Sequence, residues 1–347
     1  MGIETYAIIL KPESPFGTPL KGDTIFGHFC WQVAEDPVLL DGGLSKWIPL
    51  YDRRPFAVFS SAWPYFIEEN KIVYAIKRPD LPNILLEKTL GSFNGRTTYK
   101  DQLLNRKKDK AKRWFLISED LNAKLDWNNF IDDEKLYSKI SQAISDEKSQ
   151  SLKDSHEISK ISLAVEYTHN TINRITMTTG KKRFAPYNTE NLWYVPWIEL
   201  VLFVAFYNEA CSIEQIVEGI IRIGKQGFGR DSSVGLGRFS VSKTKRVKWP
   251  KIHRTLITLG PCVPDSDRYN QYFFNPFIRF GRHGASLACS RNPFKTPIVM
   301  ADEGAVFMIK EDVEIDRPFI GRAIKNISKV QDTAVAQGYS LVLPLRM

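Results

Sequence analysis

Between positions 224 and 239 the chain reads Gly224-Lys225-Gln226-Gly227-Phe228-Gly229-Arg230-Asp231-Ser232-Ser233-Val234-Gly235-Leu236-Gly237-Arg238-Phe239. Five glycines, two serines and three basic residues sit between a helix-like segment and a strand-like one. Glycine lets a backbone take positive φ and lets a second backbone approach closely. Successive N–H groups in such a loop can hold phosphate oxygens, and Lys225, Arg230 and Arg238 add charge. The spacing is not a P-loop, and it is not the strand-to-helix GxGxxG turn, because here the helix precedes the loop and the strand follows it. That order turns the reading from a nucleotide cofactor towards a polyanion lying across the loop. A helix cap followed by a hairpin turn with no ligand is the plainer alternative; the cations and Ser232-Ser233 favour an anion site.

Composition agrees with an acidic partner. The formal net charge is +9, from 48 Lys+Arg against 39 Asp+Glu. The 21 Phe, 13 Tyr and 8 Trp can fill a core or stack on bases. Cys30, Cys211, Cys262 and Cys289 form no CxxC pair, and the five histidines form no HxxxH pattern. Neither a metal nor a cofactor is expected, and a reducing compartment fits. The start of the chain lacks a secretory pattern, and the longest apolar run, 200–207, is too short for a bilayer. The expectation is a soluble cytoplasmic protein with no membrane partner.

Residues 4–11 read as a buried strand, followed by a Pro/Gly-rich loop and a helix over 24–35 with Asp23 as its N-cap. Ile25, Phe26, Phe29, Cys30 and Val33 share one face of that helix; Thr24, His28 and Gln32 share the other. Strands are expected near 56–63 and 71–77. Residues 80–155 are polar and charged: 96–113 holds eight Lys/Arg against two Asp, and Leu136, Ile140 and Ile144 have helical spacing. This stretch is expected to be an insertion on the surface. A long hairpin follows over 162–194, with Leu163, Val165 and Tyr167 alternating, and then a strand over 195–206. Ser212 and Gln215 make a capping-box pattern for a helix whose Ile213, Ile216, Val217 and Ile220 face inward and which Gly224 would end. Residues 238–247 return to the sheet. Strand–helix–strand order of this kind suggests a ferredoxin-like α+β domain over 1–248. A smaller α+β domain over 249–347 would hold strands at 255–259, 305–309 and 339–345 and a helix within 320–330.

The hairpin tip runs from His169 to Arg183. It places Ile172, Ile175 and Met177 among Arg174, Lys181 and Lys182, and apolar wedges beside cations are what splay or kink a nucleic-acid strand. The 96–113 run divides evenly between a solvated face and RNA backbone contact. His28 could serve as a general base for RNA cleavage. No partner acid is legible, so an ordinary hydrogen-bonding histidine is favoured. Trp193 and Trp197 read as core.

Four of these features together resemble one family. Residues 14–31, the glycine loop, Asn170-Thr171-Ile172-Asn173-Arg174, and Gln337-Gly338-Tyr339 are similar, in that order, to the first loop and helix, the glycine-rich loop, the thumb and the tail of RAMP-superfamily CRISPR proteins. Within the superfamily they resemble the handle-capping subunit of type III-A (Csm-type) effector complexes. The resemblance implies two ferredoxin-like (RRM-like) domains with a β-hairpin thumb, and a non-catalytic role in antiviral defence. Such a subunit grips the repeat-derived 5′ handle of a guide RNA and kinks it at the first spacer nucleotide. It docks a large signalling subunit beside a backbone RAMP subunit, and meets target RNA only indirectly. Carried over, Phe16, Lys21, Thr24 and His28 with Lys225, Gly227, Gly229, Arg230, Ser232, Ser233 and Arg238 would hold the handle. His169, Asn170, Asn173, Arg174, Met177, Lys181 and Lys182 would lie at the kink. The rival readings are a metal-independent RAMP endoribonuclease using His28, a multi-copy backbone subunit, and a protein-only adaptor.

Overall fold

The computed structural model describes residues 2–90, 107–143 and 159–347. Its strands, in chain order, are β1 (Ile3–Pro12), β2 (Ala57–Glu68), β3 (Lys71–Lys77), β4 (Trp114–Ser118), β5 (Ala123–Lys124), β6 (Phe130–Ile131), β7 (Ser162–His169), β8 (Tyr187–Tyr194) and β9 (Glu199–Tyr207). They continue with β10 (Phe239–Arg246), β11 (Thr255–Thr258), β12 (Tyr269–Phe273), β13 (Pro276–Arg279), β14 (Ile298–Ala301), β15 (Val306–Ile309), β16 (Phe319–Gly321) and β17 (Tyr339–Arg346). The architecture is mixed α+β and rich in sheet.

A seven-stranded sheet runs β10-β1-β9-β2-β3-β4-β6, each neighbour antiparallel. Helix α1 (Gly22–Glu35) links β1 to β2, and the Ile213–Gln226 helix links β9 to β10. The two helices lie together: Gln32 Nε2 donates to Gln226 Oε1 at 2.6 Å, and a Cβ on Gly219 would come within 2.5 Å of the Phe29 ring. Seven consecutive residues of β9 are buried, which requires cover on both faces. Part of that cover is the second sheet, β12-β15-β11-β17-β16, whose Leu341, Leu343 and Leu345 join the core of the first.

The capping box at Ser212 and Gln215 forms as read, with Ser212 N–H donating to Gln215 Oε1 at 2.6 Å. Several expectations are corrected. Lys21, not Asp23, precedes the first helical residue of α1 and makes no side-chain cap; Asp23 is drawn instead into an ion pair with Arg279. The later helix continues past Gly224 to Gln226, and Gly227 at φ 98° ends it. Gly224 is needed for a different reason: a Cβ there would stand 2.1 Å from the Phe239 carbonyl. The strand expected from 195 starts at Glu199, because Val195–Ile198 forms a turn.

The 80–155 stretch is not a surface appendage in its described part. β4 and β6 extend the first sheet, β5 pairs with β17 of the second, and Phe115, Ile117, Leu121, Leu125 and Phe130 are buried. The helix read from Leu136 and Ile140 is Asp133–Gln142; Ile144 and residues 96–106 lie outside the described residues. Within 320–330 no helix forms. β16 ends at Gly321 with φ 97° and Asn326 has φ 57°, so two left-handed residues interrupt a pattern that merely spaced its apolar residues like a helix. Residues 249–347 contain strands and short 3₁₀ turns and no α-helix.

Candidate nucleic-acid interface

The glycine loop is built against two other segments, and Arg230 joins all three. Its Nη2 donates to the Glu190 carbonyl (2.7 Å) and to Asn191 Oδ1 (2.8 Å) at the base of the β7–β8 hairpin. Its Nε donates to the Gly17 carbonyl (3.3 Å) in the first loop, and its Nη1 to the Asp231 carboxylate (2.7 Å). The guanidinium is therefore committed within the protein, which corrects the expectation of a free phosphate ligand: Arg230 is a staple. Phe16 makes the second junction. Its backbone exchanges two 2.9 Å hydrogen bonds with Leu192, while its ring is 1% exposed and packs edge-on to Tyr194. A side chain so buried cannot touch a ligand, so Phe16 supports the loop from beneath.

Most N–H groups of the glycine loop are likewise used internally. Phe228 N–H donates to the Gly237 carbonyl, Gly237 N–H to Pro15, Arg230 N–H to Thr18 Oγ1 and Arg238 N–H to Ser14 Oγ. Gly227, Gly229, Gly235 and Gly237 all have positive φ. At Gly237 the approach is so close that a Cβ would lie 2.1 Å from the Phe228 carbonyl oxygen. The glycines thus serve a backbone-on-backbone clasp at least as much as an open anion cradle. Lys225 and Arg238 are exposed beside it, with Arg238 Nη1 3.1 Å from the Lys225 carbonyl. Ser232 and Ser233 begin a 3₁₀ turn, and Ser233 is exposed.

His28 belongs to the same clasp. Its Nε2 accepts the Gly229 N–H at 3.1 Å and its ring lies 4.7 Å from that of Phe228. Burial, with the Lys295 charge nearby, lowers its pKa to about 4. A neutral ring whose Nε2 lone pair is already occupied is a poor general base. Thr24 is half-buried in the first turn of α1. Lys21 is turned away from the loop: its ammonium pairs with Asp302 and, at 2.8 Å, with Glu303, on the turn between β14 and β15. It is corrected from handle contact to a tie between the start of α1 and the β14–β15 turn. Burial pushes Glu303 up to about 7; for Asp302 burial is outweighed by hydrogen bonds from its neighbours and the charges of Lys21 and Lys77, which hold it below the usual range.

The hairpin carries the remaining residues outward. From the Leu192 junction to the His169–Tyr187 pair the arms extend roughly 15 Å. At the tip, Ile175 is 93% and Met177 75% exposed, with Ile172, Asn170, Arg174, Lys181 and Lys182 also exposed. Asn173 is committed to the turn: its Oδ1 accepts the Ile175 N–H at 3.0 Å. His169 stacks on Tyr187 with ring centroids 5.2 Å apart. Trp193, expected in the core, is 43% exposed, directly opposite the exposed Leu163, and donates to Tyr167 Oη at 3.0 Å. Alternation located this face correctly but not its exposure, because a two-stranded ribbon has no layer behind it. The structure therefore gathers the glycine loop, first loop and hairpin base into one junction, and sets the cationic, apolar tip apart from it.

No family model matches the sequence, and no curated protein does. Solved structures do. A chain of a Csm1-Csm4 cassette in complex with pppApA aligns at TM-score 0.52 with 14% identity, over 99% of this chain and 98% of the other. The same cassette in complex with cA4 gives 0.53 at 12% identity with the same coverage. The Csm3-Csm4 subcomplex of a type III-A CRISPR-Cas interference complex gives 0.50 at 18% identity, over 99% and 100%. The chain shares their fold. Its structural neighbours are thus the type III-A CRISPR proteins that the sequence resembles, and the match runs from end to end.

Proposed function

We propose that this chain is a non-catalytic RNA-binding subunit of a type III CRISPR interference complex, which grips the 5′ handle of the guide RNA and kinks it at the first spacer nucleotide. The observation that carries the reading is full-length structural similarity to complexes whose shared component is Csm4. It is supported by a projecting tip that offers cations and apolar wedges without a nucleophile, as single-stranded RNA requires. The matched structures pair Csm4 with Csm1 and with Csm3, so a large signalling subunit and a backbone subunit are the proposed protein partners. The nuclease alternative loses support because His28 is spent on Gly229.

The strand order β10-β1-β9-β2 with two crossover helices supports reading 1–248 as a ferredoxin-like domain, with 249–347 as a second unit. Arg174, Lys181, Lys182 and Met177 would meet RNA at the kink, and Lys225, Arg238 and Ser233 beside the clasp. The test is purification of the complex from the native host, sequencing of its RNA and counting of its subunits. Short RNAs sharing one 5′ handle, with one copy of this chain, are expected. Absence of RNA would overturn the reading in favour of an adaptor.

A further inference from the structure

A cavity of ≈ 1060 Å³ lies apart from the glycine-loop clasp. It opens between the base of the hairpin (Ile161, Ser162, Leu192, Tyr194), the segment after β3 and the second sheet. Its volume is at the upper end of the range for small-molecule sites, about 300–1,000 Å³. Trp63, Trp114 and Phe274 supply aromatic lining. Lys110 and Arg113 are exposed cations on it; Arg113 reaches only a loose pairing with Asp133 at 3.9 Å.

The polar floor is mostly satisfied. Glu303 is engaged by Lys21 at one oxygen and by Ser61 Oγ (2.8 Å) at the other, and Trp63 Nε1 donates to the Leu259 carbonyl (3.0 Å). The exception is Tyr194. Among the described residues its hydroxyl has no hydrogen-bond partner, although burial and the nearby Glu303 charge push its pKa up and keep it a protonated donor. The same ring packs on Phe16, so the cavity is continuous with the first-loop and hairpin junction. Aromatic walls, one unspent donor and exposed cations match a nucleotide of a single strand, with the base inside and the phosphates outside.

We infer that this cavity seats a nucleobase of the bound RNA, with Tyr194 as its hydrogen-bonding partner and Lys110 and Arg113 on the flanking phosphates. The inference rests on the RNA-binding reading above. It adds a second contact region besides the glycine loop.

The test uses the full chain and synthetic RNAs of the host's repeat-derived handle, each with 2-aminopurine at one position. One position is expected to lose at least about twofold of its fluorescence on binding, through stacking. Tyr194→Phe, which keeps the ring, should reduce affinity for the RNA with the natural base at that position by about threefold. The exposed pair Lys110→Glu with Arg113→Glu should weaken binding by about tenfold or more and abolish the quench. Arg174→Ala at the tip should weaken binding but leave the quench. If the RNA binds, Arg174→Ala weakens it, and the cavity variants behave as the wild type, the cavity is overturned while the handle reading stands. If no variant and not the wild type binds the RNA, both fall.

Discussion

Two residues read as ligand-facing are structural, and each gives a measurable consequence. Arg230 spends its guanidinium on Gly17, Glu190, Asn191 and Asp231. Arg230→Ala should therefore lower stability by about 2 kcal/mol, read by urea denaturation, besides weakening RNA binding. A simple phosphate contact would change binding alone. His28 gives a pH signature. Its pKa is lowered from 6.5 unfolded to about 4 folded, so the unfolded chain binds the extra proton between these values. Its contribution is complete above 6.5 and is lost as pH falls towards 4, by about 3 kcal/mol. In His28→Gln, which retains an acceptor for the Gly229 N–H, this part of the pH dependence should disappear.

At the level of elements, the thumb and the clasp separate cleanly. The tip residues are exposed and make few contacts, so Arg174→Ala should leave thermal stability unchanged while reducing the salt slope of single-strand binding by roughly 0.7. A slope equal to that of the wild type would remove Arg174 from the interface. The clasp responds in the opposite sense. Gly224→Ala places a methyl against the Phe239 carbonyl where helix meets strand, and should destabilise by about 2–3 kcal/mol with the tip unaffected. Periodicity made most of these elements legible: β3 and the arms of the hairpin fall where the pattern put them, and the capping box appears in full. It failed at 320–330, where i, i+4 spacing could not reveal that Gly321 and Asn326 turn left-handed.

Across the whole molecule, the start of α1 is tied to the last hundred residues by ion pairs from positions 21 and 23. Asp23 accepts Arg279 in two hydrogen bonds, at 2.6 and 3.0 Å, and Lys21 holds Asp302 and Glu303. Asp23 is largely buried, so Arg279→Ala should cost about 3 kcal/mol, whereas the Asp23→Asn, Arg279→Ala pair should cost less than the sum of its parts in a double-mutant cycle. Additive losses would show that the pair is not coupled. The main strands and helix faces of residues 1–248, the glycine-rich turn and the basic balance were legible in the amino acids, because backbone propensity and hydrophobic period are local properties. Which polar side chains remain free was not. Arg230 and Lys21 look like free charges and Asp23 like a helix cap in one dimension, and they are consumed chiefly by partners 39 to 282 positions away once the loops close on one another. Folding decides that allocation, because a charge that leaves water must find its counterpart wherever the packing places it.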